Sequence, residues 1–136
     1  MGPQLAIIQA PSALGLRPSG VQDLPRALLG AGLRERLDAA DGGRVDAGPY
    51  DPRRDPETGV LNPYGIAQYS MRLADAVGGV LDRSGFPVVL GGDCSILLGN
   101  LLALRRRGRF GLYFVDGHTD FYQPSAEPNG ARGADR

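Results

Sequence analysis

Only one cysteine, Cys94, is present, so no disulfide can form within the chain, and this usage fits a reducing, cytoplasmic setting. Charge of one sign is lacking as well. Fifteen basic side chains balance 15 acidic ones to a formal net charge of zero, which leaves no electrostatic reason to seek nucleic acid or an anionic membrane. The one basic concentration, Arg105, Arg106, Arg107 and Arg109, reads as a solvated helix end that complements the helix dipole. No apolar run approaches membrane-spanning length, and the opening residues Met1 to Ile8 lack the charged and long apolar regions of a signal peptide. With Pro3 and Ala6, the Met-Gly start is also a poor myristoylation match. What remains is a soluble domain: 136 residues, 42% of them hydrophobic, suffice to bury a core.

The apolar pattern alternates between short runs and helical stripes. Leu5 to Gln9 reads as a first strand, followed by a loop rich in Gly, Pro and Ser. A helix is expected from about Val21 to Leu33, with Asp23 and Pro25 near its start and Leu24, Ala27, Leu28 and Ala31 on one face. A short second strand is placed near Arg36 to Ala39. From Asp41 to Gly59 the chain is full of Gly, Pro, Asp and Arg without apolar period, which predicts a surface excursion within one domain. Asn62-Pro63 opens a helix whose stripe runs through Ile66, Tyr69, Ser70, Leu73, Val77, Val80 and Leu81 to about Arg83. Core packing explains that stripe without any cofactor. Val88, Val89 and Leu90 form a continuous apolar run of the kind seen when both faces of a parallel strand are covered. Gly91 and Gly92 then allow a sharp turn, and Ser95 can cap a helix carrying Leu97, Leu98, Leu101, Leu102 and Leu104. A last strand is expected over Phe110 to Val115. Strands alternating with helices predict a three-layer α/β/α fold with a parallel sheet covered on both faces. Residues 123 to 136 carry little that can pack and are expected to be mobile.

The chemistry concentrates at the ends of the two later strands. Asp116, His118 and Asp120 alternate, so a strand would point all three side chains to one side. Two carboxylates held that close repel unless a cation lies between them, and carboxylate with imidazole suits Mn, Fe, Ni or Zn. By average residue usage such a triple arises by chance on the order of once in a hundred chains of this length, so it points to a metal without settling one. A solvated acidic turn is the plain alternative. Asp93 and Cys94 fall at the carboxyl end of the preceding strand, the edge where open α/β sheets place their ligands. The two polar clusters are therefore expected to meet.

Gly91-Gly-Asp-Cys-Ser95 and Asp116-Gly-His-Thr-Asp120 together resemble the metal motifs of the ureohydrolases, the family of arginase, agmatinase and formimidoylglutamase, which read Gly-Gly-Asp-His-Ser and Asp-Ala-His-x-Asp. The match is strong from about Pro87 to Pro124 and loose before it. The resemblance implies a two-metal site, usually manganese, that hydrolyses a guanidino or amidino C–N bond, releasing urea in the guanidino case. It makes Asp116 the carboxylate bridging both metals and His118 a ligand of the second metal. Asp120 becomes a ligand of the first metal that also steadies the nucleophilic hydroxide, the catalytic role. Trimers or hexamers are implied for intact members.

Cys94 stands where most members have histidine. As a thiolate it would tilt the site toward zinc, iron or nickel; alternatively it is a small buried residue and that metal is weak or absent. A third family motif, Ser-x-Asp-x-Asp, is not found before Arg136, so residues 1–136 are expected to form the amino-terminal part of a single larger domain, inactive alone. Tyr122 replaces the asparagine that arginases use for substrate recognition, and His118 is the only histidine, so a separate proton-shuttling histidine is absent from these residues. A pseudoenzyme or ligand-binding protein of the same fold is the alternative function. A nucleotide phosphate site at Gly91-Gly92 is a third, but neither Gly-x-Gly-x-x-Gly nor Gly-Lys-Ser or Gly-Lys-Thr is present.

Overall fold

The computed structural model describes residues 2–117. Three parallel strands, β1 (Leu5–Ala10), β2 (Ala40–Arg44) and β3 (Phe86–Gly91), form a sheet in the order β2-β1-β3. Helices α1 (Leu24–Gly30), α2 (Leu33–Leu37), α3 (Pro63–Asp82) and α4 (Ile96–Arg105) flank it. This is the α/β fold with a parallel sheet read from the sequence. Among the described residues no helix is long and apolar enough to cross a membrane.

β1 is central, and its apolar residues are buried on both faces: Ile7, Ile8 and Ala10 have no solvent exposure. It pairs in unbroken register with β3, from Leu5 beside Phe86 to Ala10 beside Gly91. α3 is the largest apolar contributor. Ile66, Tyr69, Leu73, Ala74, Val77 and Val80 turn inward against β1, as the helical stripe requires. The Tyr69 hydroxyl donates to the Val45 carbonyl at 2.6 Å, fixing α3 to the chain just beyond β2. Asn62, directly before α3, donates to the Leu14 carbonyl at 2.9 Å and accepts from the Asp51 amide at 2.7 Å. The polar excursion is thereby held to α3 at Val45 and, through Asn62, at Asp51.

Three elements differ from the sequence reading. The helix expected over Val21 to Leu33 is a 3-10 turn (Val21–Asp23) and α1, and the chain then breaks at Gly32, whose φ of 83° is left-handed, before α2 begins. β2 lies at Ala40–Arg44, not near Arg36 to Ala39, because Arg36 and Leu37 close α2. Its sequence, Ala-Asp-Gly-Gly-Arg, has no apolar alternation to find. The backbone approaches β1 so closely that a β-carbon on Gly42 would stand 2.8 Å from the Ile7 carbonyl oxygen. Finally, no strand forms over Phe110 to Val115 among the described residues. Tyr113 and Val115 are 93% and 96% exposed, and without a ladder partner the apolar pattern has nothing to pair with.

α4 packs on α3. The basic end of α4 is more than a solvated terminus: Arg107 makes a two-pronged ion pair with Asp82 at 2.7 and 2.8 Å, and Arg106 reaches Asp75 at 3.3 Å. The Arg107 guanidinium holds the Asp82 carboxyl below its ordinary range.

Candidate metal centre

The turn from β3 into α4, Gly91 to Ser95, is set by close backbone approach. Gly92 adopts φ of 91°, and a β-carbon there would collide with the Ala10 carbonyl and lie 3.0 Å from Ser12 backbone atoms. Only glycine lets the end of β3 fold against the end of β1 in this way. The Asp93 amide then donates to the Ser12 carbonyl at 2.9 Å, and the Gly15 amide donates to Asp93 Oδ2 at 2.7 Å. Asp93 is 2% exposed. Burial raises its carboxyl above the usual range, opposed by hydrogen bonds from Ser95, Gly15 and Ser12. Asp93 thus ties the loop after β1 to the turn after β3. The sequence reading put it at the right edge but assigned it no function. The signal available was a carboxylate directly after two glycines with no basic residue beside it.

Cys94, one residue on, opens outward. It is half-buried at the start of α4, and Ser95 stands at the predicted helix start without a side-chain capping bond. Cys94 Sγ lies 3.5 Å from Asp116 Oδ2. Two of the expected donors therefore meet, although Asp116 arrives on an extended segment rather than on a strand. His118 and Asp120 lie outside the described residues, as do Tyr122 and residues 123–136. Among the described residues no group of three or more His, Cys, Asp or Glu side chains could hold a metal ion.

The spacing of the pair can be tested against ligation. A thiolate sulfur about 2.3 Å and a carboxylate oxygen about 2.1 Å from one tetrahedral ion stand about 3.6 Å apart. The observed 3.5 Å, a thiol-to-carboxylate hydrogen bond, is close to that separation. A thiolate with a carboxylate is a donor set for a borderline-soft divalent ion.

Comparison with known proteins gives one consistent result. The model of the Arginase family matches residues 3–134. Arginase of Bacillus caldovelox is 33% identical over 133 residues, covering 93% of this chain and 44% of that protein. Arginase-1 of Homo sapiens is 33% identical over 131 residues, covering 93% and 41%. In three dimensions the native structure of Bacillus caldovelox arginase superposes with a TM-score of 0.80 at 33% identity, covering 98% of this chain and 47% of that chain. Bacillus cereus arginase gives 0.74 at 28% identity, covering 94% and 44%. The chain spans less than half the length of these relatives. With the family model spanning nearly all of its residues, this chain belongs to the arginase family.

Proposed function

We propose that this chain supplies the amino-terminal ligands of a metal-dependent hydrolase of guanidino or amidino compounds. The observation that carries the reading is the approach of Cys94 Sγ to Asp116 Oδ2, 3.5 Å, at the carboxyl end of the sheet. In this reading Cys94, Asp116, His118 and Asp120 are the ligand set, and Asp120 also has the role of steadying the nucleophile. Divalent ions, when bound, supply a water acidic enough to attack a planar guanidinium carbon at neutral pH. The protein's own work is to hold the donors rigidly. β3 fixes the depth of Cys94, the Asp93 clamp fixes its direction, and Asp116 comes to meet it.

Charge sets a limit on what these residues do alone. Two divalent ions carry four positive charges, and Asp116, Asp120 and a Cys94 thiolate offset at most three. Balancing two divalent ions therefore takes further acidic ligands besides Asp116 and Asp120. Manganese is the family's usual metal, and the thiolate shifts preference toward zinc, iron or nickel.

Elemental analysis of the purified chain after loading with manganese or zinc tests the ligand set. At least one equivalent is expected, lost in Asp116→Ala. No bound metal under either loading refutes the reading and supports a binding protein of the same fold instead. In a completed arginase fold carrying these residues, Asp116→Ala or Asp120→Ala is expected to abolish hydrolysis after metal depletion and reloading; full activity in either contradicts the assignment.

A further inference from the structure

We propose that the Asp116-Gly117 peptide is a modification site, at which the aspartate converts spontaneously to isoaspartate and withdraws a donor from the candidate metal centre. The reaction needs no enzyme and no co-reactant but water. The amide nitrogen of Gly117 attacks Asp116 Cγ and gives its proton to solvent; the N–Cγ bond forms, a carboxyl C–O bond breaks, and water leaves as a five-membered succinimide closes. Water then adds to a ring carbonyl. Opening at the main-chain carbonyl breaks the bond from that carbon to nitrogen, so the chain now runs through Cβ and Cγ and the free carboxylate sits on Cα. The water lost is regained, and the mass is unchanged.

Two things restrain this reaction in a folded chain: a side chain on the next residue, which shields the attacking nitrogen, and a backbone too fixed to bring that nitrogen over Cγ. Position 117 lifts the first restraint. The metal motif that these residues resemble has alanine there, and this chain has glycine. The second is lifted as well, because Asp116 and Gly117 are exposed and lie outside every helix and strand among the described residues. No described atom comes within 4 Å of where a Gly117 β-carbon would stand. The Cys94 thiol donates to Asp116 Oδ2 at 3.5 Å, but a thiol is a weak donor, and this bond alone does not lock the carboxyl.

The chain carries its own comparison. Asp41-Gly42 is the same dipeptide set inside β2, where Asp41 is in register with Ile7 of β1. Asp41 Oδ1 accepts from the Gly43 amide at 2.9 Å and Oδ2 from Arg34 at 3.4 Å. Gly42 is pressed so closely on β1 that its nitrogen cannot swing over Cγ without opening the ladder. The covalent chemistry of the two sites is alike, and only their backbone freedom differs. In isoaspartate the carboxylate is one carbon nearer the main chain, so Asp116 no longer presents the oxygen that meets Cys94. That consequence for the metal rests on the proposed ligand role of Asp116; the isomerisation itself does not.

The test holds the purified chain at neutral pH in EDTA for several weeks, digests it with trypsin, and locates isoaspartate by electron-transfer fragmentation. Cleavage after Arg36, Arg44, Arg109 and Arg132 puts the two sites on separate peptides, residues 37–44 and 110–132. Deamidation at Asn129-Gly130 in the second peptide raises the mass and is told apart by that. Isoaspartate is expected at 116, about tenfold or more above the level at 41, with the gap narrowing in urea as β2 is lost. Gly117 has no left-handed φ and open surroundings, so Gly117→Ala should keep the circular dichroism and slow the reaction about tenfold or more. No isoaspartate at 116, equal levels at both sites in the folded chain, a gap undiminished in urea, or an unchanged rate in Gly117→Ala would each overturn the proposal. Loading with manganese or zinc is expected to slow the reaction at 116 alone; isomerisation undiminished while elemental analysis shows bound metal would leave the modification site standing and count against Asp116 as a ligand.

Discussion

Gly99 offers a sharp test of how α4, and with it Cys94, is seated. It lies inside α4 facing α3, and a β-carbon there would stand 2.9 Å from Leu73 Cβ and 2.9 Å from the Ser70 carbonyl oxygen. Both contacts lie at or next to the α3 backbone, not at the end of a flexible side chain, so neither can yield alone. On propensity, glycine to alanine within a helix gains up to about 1 kcal/mol. Overpacking a fixed contact costs about 1–3 kcal/mol. The steric effect wins, and Gly99→Ala is expected to destabilise by about 1–2 kcal/mol. Gly79→Ala is the internal control. It also lies inside a helix, α3, but its added carbon would meet only the Arg83 guanidinium at 3.5 Å. With the clash removed, only propensity remains, and stabilisation by about 0.5–1 kcal/mol is expected. Urea denaturation of both variants at unchanged slope reads the two signs from the midpoints. Equal stabilisation in both would refute the close helix contact. Because α4 begins at Ile96, two residues past Cys94, a shift of α4 should also weaken metal retention in Gly99→Ala and leave it unaltered in Gly79→Ala.

Three further predictions follow from named contacts. Asp93→Ala leaves the buried Gly15 amide without its acceptor and should destabilise by about 1–3 kcal/mol, with faster exchange at Gly15, whereas Asp93→Asn keeps an acceptor and should cost less; equal losses would show that the carboxylate charge, not the hydrogen bond, matters. Cys94→His replaces thiolate by imidazole and should lower the ratio of zinc to manganese affinity by about tenfold or more in competition titrations; an unchanged ratio would remove Cys94 from the ligand set. The Asp82 carboxyl is held below its unfolded value by Arg107, so the stability it contributes is present above that unfolded value and is lost as pH falls through the lower folded one. Asp82→Asn should therefore flatten the acid limb of the stability profile below about pH 4 and leave the neutral region nearly unchanged; an equally steep acid limb in the variant would mean that the ion pair is not what titrates there.

What the sequence disclosed was whatever depends on a residue and its near neighbours. β1, α3, β3 and α4 lie where the apolar runs and stripes placed them, and Pro63 and Ser95 mark helix starts as expected. β2 escaped notice because Ala-Asp-Gly-Gly-Arg becomes a strand through main-chain pairing with β1, and nothing in its side chains announces that. The single helix expected before it was split by Gly32, a residue that a helical pattern tolerates until its φ turns positive. The site divides in the same way. That Cys94 and Asp116 would meet was legible from the two motifs that follow apolar runs, although only the run before Cys94 became a strand. That Asp93 would turn inward while its neighbour Cys94 turns out was not, because the choice is made by the left-handed Gly92 and by a partner, Gly15, 78 positions away. Phe110 to Val115 makes the same point in reverse. Its apolar pattern is a sound strand signal, yet a strand exists only when paired with another strand, and among the described residues this segment pairs with none. A strand signal read from side chains alone therefore says what a segment could pair as, not whether a neighbour takes it up.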